Sequence, residues 1–436
     1  MPNCLDWYVA ALAAQMLGGA ISSINPMAPA GEIARQFGRI NAKAVLTIPE
    51  LLTAASEVAG DTAVLSTADL RSLGNTDIAL HRRSHSTAEA AAFLPFSSGT
   101  TGLPKPVILT HQNMIAAAAS VASAVALDTG DRMLGLAPVF HVVGPLIFAM
   151  ALLKRASIVV LPRLESALLV NAIERHGVTH CPVVPPMLRL LACHPAGEGR
   201  RYSSLKAVFC GGNFLDPGLQ EIAIRRLGCP VVQVFATTEA AGIISIDSLS
   251  SPRPGSAGFA APLVSMRIAD PATGEILEPG RDGELQCKGA NIFAGYLGLP
   301  SDTANAKTPD GWLRSGDLAQ IDQSGRLWIK GRYKELVKVH AGQVPPAELE
   351  ALLLAHPNIS DAAVIGRANA HCGQIPIAYV VWREPVDPFA VMEWLNDQVL
   401  GYKRIRAIEP IDVIPRNASG KIDRAALLAE DDMRTS

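Results

Sequence analysis

The sequence lacks an excess of charge of one sign. Its 436 residues include 38 lysines and arginines and 40 aspartates and glutamates, for a formal net charge of −2. A chain whose main task is to grip nucleic acid or an anionic membrane carries a basic surplus. The balance therefore argues against both partners, whereas a small anionic ligand needs only a few local cations.

A hydrophobic run long enough to cross a membrane is also lacking. Although 49% of the residues are apolar, the longest nearly apolar run covers 114–127 and contains two serines. A membrane span needs ~20 residues. The first basic residue is Arg35, whereas a secretory signal begins with positive charge. We therefore predict a soluble, cytoplasmic protein without a membrane span.

Paired cysteines are the third feature that the sequence lacks. The seven cysteines are an odd number, widely spaced, and no two form a C-x-x-C pair. This pattern predicts neither a disulfide framework nor a structural zinc site. His176, His180 and Cys181 lie close together in sequence, but Gly177 interrupts their spacing, and we interpret them as structural residues.

Strand and helix patterns alternate through the middle of the chain. Strands are predicted at 157–161, 180–184, 205–210 and 230–235, with helices at 166–176, 186–192 and 217–227 between them. This alternation predicts an α/β fold with mostly parallel sheets. Short strands and Pro/Gly turns from about residue 255 indicate a β-rich subdomain, and an α+β pattern follows residue 331. We predict a large N-terminal domain over 1–330 and a small C-terminal domain over 331–436.

A polar loop over 97–105 is the first chemical signal. Its serines, threonines and glycines supply hydroxyls and accessible backbone N–H groups that can surround phosphate oxygens, and Lys105 adds a cation. The loop is not a Walker A motif, because Pro104 and Pro106 flank the lysine.

The loop resembles the phosphate loop of the adenylate-forming superfamily, which contains acyl-CoA synthetases, luciferases and adenylation domains. Five further segments resemble motifs of that superfamily and occur in the same order along the chain. Residues 137–144 resemble the motif LPxFHxxG, 235–239 resemble YGxTE, 311–317 resemble GWxxTGD, 331–338 resemble DRxKExIK, and 415–421 resemble PRxxxGK. The 4-coumarate:CoA ligase-like branch fits best. The resemblance covers essentially the whole chain, with an opening β-containing stretch expected to be missing at the N-terminus.

The resemblance implies a two-step ligase reaction. ATP and a carboxylic acid, expected to be an aryl or arylpropenoic acid, give an acyl-AMP and pyrophosphate, with Mg²⁺ assisting. The acyl group then passes to CoA as a thioester. The alternative is an amide synthetase or ligase that passes the acyl group to an amine or a carrier-protein thiol. A catalytically silent nucleotide-binding relative is a third hypothesis, against which the charged residues of the motifs argue.

The resemblance also implies roles for individual residues. Catalytic roles fall to Lys421, Thr238, His141, Lys338 and Gln343, and Glu239 binds Mg²⁺. The residues expected to bind the nucleotide are Ser97, Ser98, Gly99, Thr100, Thr101, Gly102, Lys105, Gly211, Gly212, Asn213, Phe235, Ala236, Thr237, Asp317 and Arg332. Phe235 is expected to stack on adenine, and Asp317 to accept from the ribose hydroxyls with Arg332 assisting. Taken one at a time, such residues are typical of helix caps and turns. Because their segments occur in the order found in the superfamily, we favour the functional interpretation.

The small domain is expected to rotate about a hinge at Lys330 and Gly331, because the superfamily's C-terminal domain is mobile. One face would present Lys421 for adenylation, and another would present Lys338 and Gln343 for acyl transfer.

This sequence also departs from the family pattern. Ala236 replaces a glycine, and positions 340–342 hold His340, Ala341 and Gly342 where the family has Lys, Gly and an aromatic residue. CoA and an amine therefore both stay open as acceptors. The acid pocket is expected to involve His141, Phe209, Gly211, Ala236 and Ile243.

Overall fold

The computed structural model describes residues 1–73, 86–97, 104–194, 202–213, 215–340, 342–369, 371–416 and 421–435. The chain forms a large α/β domain with several sheets and a smaller domain at its C-terminal end. This is the fold class that the alternating pattern predicts. In the described part of the chain, no helix combines the length and apolar character needed to cross a membrane.

The first part of the chain contains two small β-structures and the helix that follows the phosphate loop. The elements are α1 (Leu5–Met16), α2 (Ala30–Phe37), β1 (Ala44–Thr47), α3 (Leu52–Ala59), β2 (Ala63–Ser66), α4 (Thr67–Leu73), β3 (Ala91–Phe93), β4 (Phe96–Ser97), β5 (Lys105–Thr110) and α5 (His111–Ala124). Strands β1 and β2 pair in parallel. Thr110 caps α5 through a reciprocal capping box with Asn113, which fixes where that helix begins.

The middle of the chain builds the central sheet. Its elements are β6 (Arg132–Gly135), α6 (Val143–Lys154), β7 (Ser157–Val160), α7 (Ser166–His176), β8 (His180–Val183), α8 (Pro185–Cys193), β9 (Ala207–Cys210), α9 (Pro217–Leu227), β10 (Val231–Thr237), β11 (Gly242–Ile246) and β12 (Phe259–Ala260). The seven strands follow the order β12-β11-β10-β9-β8-β6-β7. The pairs from β7 to β10 are parallel, and β11 and β12 are antiparallel.

A β-rich region follows, as the turn-rich sequence predicts. It comprises β13 (Val264–Ala269), β14 (Asp282–Gly289), β15 (Gly295–Tyr296), α10 (Pro300–Asn305), β16 (Leu313–Ile321) and β17 (Leu327–Arg332). Strands β13, β14, β16 and β17 form an antiparallel sheet. Strand β15 instead pairs with β5, which brings the start of α10 to the strand that begins at Lys105.

The smaller domain has its own sheet and core. Its elements are β18 (Val337–Val339), β19 (Gly342–Val344), α11 (Pro346–Ala355), β20 (Ile359–Asn369), β21 (Gly373–Trp382), α12 (Pro388–Asn396), β22 (Ala407–Pro410) and α13 (Arg424–Thr435). The sheet order is β19-β18-β21-β20, with β22 on β21. The expected hinge residues Lys330 and Gly331 lie inside β17, where Gly331 pairs with Leu318 and has φ of 153°.

Candidate active site

A cavity of about 1240 Å³ is lined by residues of both domains. It brings together residues that are far apart in the sequence, from the phosphate loop to the end of the chain. The sequence-predicted residues that line it are Ser97, Lys105, His141, Gly211, Gly212, Ala236, Thr237, Thr238, Glu239, Arg332 and Lys421. The five residues expected for the acid pocket also line it.

Other sequence-predicted residues lie elsewhere. Asn213, Phe235, Asp317 and Lys338 are not among the lining residues of the described chain. The side chain of Gln343 lies outside what the structure describes. Phe235, expected to stack on adenine, is half-buried and packs against two apolar core clusters. The phosphate-loop residues 98–103, among them the predicted 98–102, and Ala341 lie outside the described residues.

The carboxyl ends of the parallel strands form one wall of the cavity. Val183 ends β8, Gly211 follows β9, and Ala236 and Thr237 end β10. Ligands of α/β sheets bind outside these carboxyl ends. A register shift in the β10–β11 pairing falls between Phe235 and Ala236. The bulge breaks the alternation of side chains there, and the consecutive residues Ala236 and Thr237 both line the cavity.

Gly211 is required by close packing at this wall. A Cβ atom at Gly211 would lie 2.6 Å from Cγ2 of Val234 and 3.1 Å from the Val234 carbonyl oxygen. Gly212 has φ of +84°, a conformation that side chains with a Cβ disfavour. The two glycines therefore let the backbone turn out of β9 beside β10.

Asp317 and Arg332 form a cross-strand ion pair at the edge of the cavity. They are register partners in β16 and β17, and Arg332 Nε donates to Asp317 Oδ1 at 3.1 Å. Asp317 is 3% exposed, and its second oxygen, Oδ2, is buried without a hydrogen bond to any described residue. Burial raises the pKa of Asp317 against the pull of Arg332 and Lys421, and the Asp317 charge raises the pKa of Arg332. An orphaned carboxylate oxygen here fits a hydroxyl donor from a ligand.

Lys421 reaches the cavity from the smaller domain. Burial lowers the pKa of its amino group, and the positive charge of Arg332 lowers it further, while Asp317 opposes the shift. Desolvation of an ammonium group is costly unless an anion compensates it. A cation held in this way at a cavity wall is suited to stabilising negative charge on a ligand.

The sequence analysis missed two residues, Tyr296 and Asp302. They contact Glu239 and Lys105, the residues expected to bind the metal and phosphate. Tyr296 Oη donates to Glu239 Oε1 at 2.8 Å, and Asp302 pairs with Lys105. Burial and the Glu239 charge both raise the pKa of Tyr296, so its hydroxyl stays protonated. No local pattern predicts these contacts, because they join residues separated by 57 and 197 positions.

Thr238 and Glu239 lie in a short 3-10 helix at the end of β10. The Oγ1 atom of the preceding Thr237 is buried and has no hydrogen-bond partner among the described residues. A buried hydroxyl next to a cavity and without a partner fits a ligand oxygen. The Tyr296 contact uses one oxygen of Glu239, which leaves Oε2 for a hard cation such as Mg²⁺.

His141 is neutral in this environment. Burial, and then the charge of Lys421, lower the pKa of its imidazole from 6.5 to about 4. Phe209, Val234 and Ile243 line the cavity with it and give this part an apolar surface.

Lys338 lies apart from the cavity, on the hairpin formed by β18 and β19. It is exposed, is the register partner of Gln343, and its backbone N–H donates to Gln374 Oε1 at 2.8 Å. His340 has φ of 52° at the hairpin tip. Lys338 is therefore outside the cavity that Lys421 lines.

A cavity at the carboxyl ends of parallel strands, lined by Lys105, Arg332 and a lysine from a second domain, is typical of a nucleotide-dependent enzyme. The sequence pattern of "AMP-binding enzyme" matches residues 1–297, and that of "AMP-binding enzyme C-terminal domain" matches residues 348–421. The chain belongs to this family of ATP-using, AMP-forming enzymes, which confirms the expected superfamily.

Curated proteins support the same branch of the family. The protein named "4-coumarate--CoA ligase-like 4" from Oryza sativa subsp. japonica is 36% identical to this chain, covering 98% of this chain and 81% of the relative. "Peroxisomal OPC-8:0-CoA ligase 1" from Arabidopsis thaliana is also 36% identical, over 98% of this chain and 82% of its own.

Solved structures resemble the fold over nearly the full chain. ATP-bound MatB from Rhodopseudomonas palustris gives a TM-score of 0.92 at 25% identity, covering 99% of this chain and 87% of its own. Apo MatB gives 0.79 at the same identity and coverage. The amide bond synthetase McbA from Marinactinospora thermotolerans gives 0.89 at 26% identity, covering 98% and 88%.

Proposed function

We propose that this enzyme converts a carboxylic acid and ATP into an acyl-AMP and pyrophosphate, and then transfers the acyl group to the thiol of CoA. In the first step a carboxylate oxygen attacks the α-phosphorus and pyrophosphate leaves. In the second step the thiol sulfur attacks the acyl carbon, loses its proton, and AMP leaves. The observation that carries the proposal is the position of Lys421, which lines one cavity together with Thr238, Glu239 and Arg332.

Lys421 and Thr238 are proposed to act on the first step. The Lys421 ammonium would lie between the acid carboxylate and the α-phosphate, where negative charge is shared as the new bond forms. A pre-positioned cation in a partly desolvated site stabilises such charge strongly. The hydroxyls of Thr238 and Thr237 would donate to phosphate oxygens, and Lys105 would neutralise the leaving pyrophosphate.

Asp317 and Arg332 are proposed to hold the ribose. The Oδ2 atom of Asp317, without a hydrogen-bond partner among the described residues, supports this role, because a buried carboxylate oxygen is stabilised when it accepts a hydrogen bond from a hydroxyl. Arg332 favours the ionised form of Asp317 and orients it through its Nε contact.

Glu239 is proposed to bind Mg²⁺ together with the ATP phosphates. Mg²⁺ prefers carboxylate and phosphate oxygens, and it neutralises charge on the transferring group when bound. Tyr296 would orient the carboxylate by donating to its other oxygen.

The acid is proposed to be an aryl or arylpropenoic acid. The apolar surface of Phe209, Val234 and Ile243 suits a ring without charge. The low pKa of His141 supports this assignment, since a neutral imidazole adds no positive charge beside the acid tail.

Acyl transfer is proposed to follow a rotation of the domain formed by residues 331–436 relative to 1–330. Lys338 is exposed outside the cavity, on the hairpin where it is the register partner of Gln343, and this hairpin would enter the site after Lys421 leaves it. Gly331 is the proposed pivot, because its φ of 153° lies outside the range that other residues favour. The higher TM-score to ATP-bound MatB than to apo MatB supports an adenylation-like arrangement.

An amine acceptor, or a carrier-protein thiol, is the second candidate for this step. Gly342 stands where the family has an aromatic residue of the pantetheine tunnel, and a Cβ there would lie 2.6 Å from the ring of Tyr402. The similarity to the amide bond synthetase McbA supports this alternative.

The adenylation step is tested by acid-dependent exchange of labelled pyrophosphate into ATP across a panel of aryl and aliphatic acids. We expect exchange with aryl acids that requires Mg²⁺ and is lost in Lys421→Ala. Lys403→Ala is a matched control, because Lys403 is also a partly buried lysine of the smaller domain but pairs with Glu348. No exchange with any acid would overturn the proposal.

The acceptor is tested with the best acid from that panel. CoA and a set of small amines are offered separately, and the products are identified by mass. A CoA thioester as the preferred product supports the proposal, whereas an amide formed faster than the thioester would establish the alternative.

A further inference from the structure

Lys105 and Asp302 form an ion pair on the wall of the cavity, and nothing in the adenylation scheme above uses Asp302. Lys105 is the first residue of β5, and Asp302 lies in α10, 197 positions later. The Lys105 Nζ atom contacts Asp302 Oδ1, and the two side chains are 19% and 37% exposed. Both residues line the cavity.

The surroundings of this pair place it on the phosphate side of the cavity. The Lys105 Nζ atom lies 5.3 Å from the centre of the Tyr296 ring, and the Tyr296 hydroxyl donates to Glu239. The Tyr296 backbone N–H donates to Thr303 Oγ1 at 2.8 Å, which places α10, and with it Asp302, beside the same tyrosine. Asp302 therefore adds a negative charge close to the residues proposed to hold phosphate and Mg²⁺.

Lys105 has one positive charge, and two anions compete for it. If its amino group moves to a phosphate oxygen, the ion pair with Asp302 is lost and the Asp302 carboxylate is left near the polyphosphate. Both effects weaken the binding of a polyanion. They apply to ATP and to pyrophosphate alike, because both present phosphate oxygens to the same lysine.

We propose that Asp302 sets the enzyme's affinity for polyphosphate by competing with ATP and pyrophosphate for Lys105. The carboxylate weakens ATP binding moderately and, in return, helps pyrophosphate to leave after adenylation. This inference rests on the proposed function, and in particular on Lys105 as a phosphate ligand.

The test is Asp302→Asn, which removes the charge and keeps the shape. We expect the KM for ATP and the inhibition constant of pyrophosphate each to fall about threefold, which is the size of effect typical of a partly exposed ion pair. Asp302→Glu keeps the charge and should restore both constants toward the wild-type values. Asp302→Ala should act in the same direction as Asp302→Asn. Unchanged or raised constants in both neutral variants would overturn the inference.

Two controls separate this effect from a structural one. Glu348→Gln removes a carboxylate of matched exposure, 39% against 37%, from an ion pair with Lys403, which does not line the cavity. It should leave both constants unchanged. The gain in polyphosphate affinity from Asp302→Asn should also become smaller at high salt, because screening weakens the interactions between the competing charges.

A double-mutant cycle separates this inference from the proposed function. Lys105→Ala should weaken pyrophosphate inhibition. In that background Asp302→Asn should strengthen polyphosphate binding less than it does with Lys105 present, because the competition for Lys105 is gone and only the repulsion by the Asp302 charge is removed. If Lys105→Ala alone leaves the ATP and pyrophosphate constants unchanged, the role of Lys105 in the proposed function is wrong. If Lys105→Ala weakens binding but Asp302→Asn does not strengthen it, only the role of Asp302 is wrong.

Discussion

Lys421 and Lys338, both in the smaller domain, differ sharply in environment. Lys421 lies partly buried in the cavity, and burial and Arg332 both lower its pKa. Lys338 is exposed on the β18–β19 hairpin. Removing a cation from water costs free energy. The fold accepts this cost for Lys421 in the cavity but leaves Lys338 in solvent. The contrast suits an enzyme that uses the two residues in turn.

Interactions within the smaller domain support the arrangement around Lys421. Arg424, three residues after Lys421, pairs with Glu335 at 3.0 Å and also with the buried Glu350 of α11. Glu350 Oε1 in turn accepts from the Val364 backbone N–H at 2.9 Å. These contacts connect the segment that carries Lys421 to the segment that follows β17.

Among these variants, Lys421→Ala is expected to have the largest effect and tests the contrast between the two lysines most directly. We expect the adenylation rate to fall about 100- to 1000-fold, as when a pre-positioned group that stabilises transition-state charge is removed. Single-turnover assays supply the measurement, with acyl transfer from synthetic acyl-AMP to CoA followed separately. That second step should keep most of its rate; a similar loss in both steps would contradict the division between the two lysines.

Lys338→Ala is the converse change. We expect acyl transfer to slow roughly tenfold, which corresponds to ~1.4 kcal/mol in the barrier, with pyrophosphate exchange unchanged. Lys334→Ala, a nearby lysine on the cavity side of the domain, is a useful comparison in the same assays. Loss of exchange in Lys338→Ala would show that this lysine also acts in the first step.

The pH dependence of the two steps should differ because of the lowered pKa of Lys421. Only the ammonium form can stabilise negative charge, so adenylation should decline as the pH rises through a pKa below 10.5, the usual value for lysine. Above that pKa the loss approaches about tenfold per pH unit. Acyl transfer to CoA should instead rise with pH, since the thiolate is the nucleophile. Adenylation that stays constant up to the pKa of an ordinary lysine would contradict the shift.

Arg424→Lys should have the smallest effect. A lysine keeps the charge but cannot hold Glu335 and Glu350 with one planar fork, so we expect adenylation to slow about threefold. Arg434→Lys, in the exposed ion pair with Glu430, is the matched control. An equal change in both variants would mean that the Arg424 contacts do not position Lys421.

Much of the fold could be predicted from local pattern. The helices α7 and α9 have the predicted bounds, because the glycines that follow them, Gly177 and Gly228, adopt left-handed conformations that end a helix. Strand β10 continues two residues past its predicted end at 235. The bulge after Phe235, which the periodicity did not predict, accompanies this extension.

Residues of the cavity could be predicted only where motifs mark them. Eleven of the predicted residues line it, yet Tyr296 and Asp302 carry no local pattern, since strand pairing of β15 with β5 brings them to Lys105. Phe235 was predicted to stack on adenine, and the motif gave no indication that its side chain packs against the apolar core. The roles of the site residues and the domain boundary stay predictions for the experiments above.

The free cysteines have a consequence for an enzyme that makes an activated acyl group. An acyl-AMP is a mixed anhydride that reacts with thiolates, including those of its own protein. Burial raises the thiol pKa of Cys229 to about 11 and of Cys287 to about 12, and raises those of Cys181 and Cys210 further. All seven cysteines are in the described part of the chain, and none lines the cavity. None of these thiols is therefore placed at the cavity to compete with a co-substrate for the acyl group.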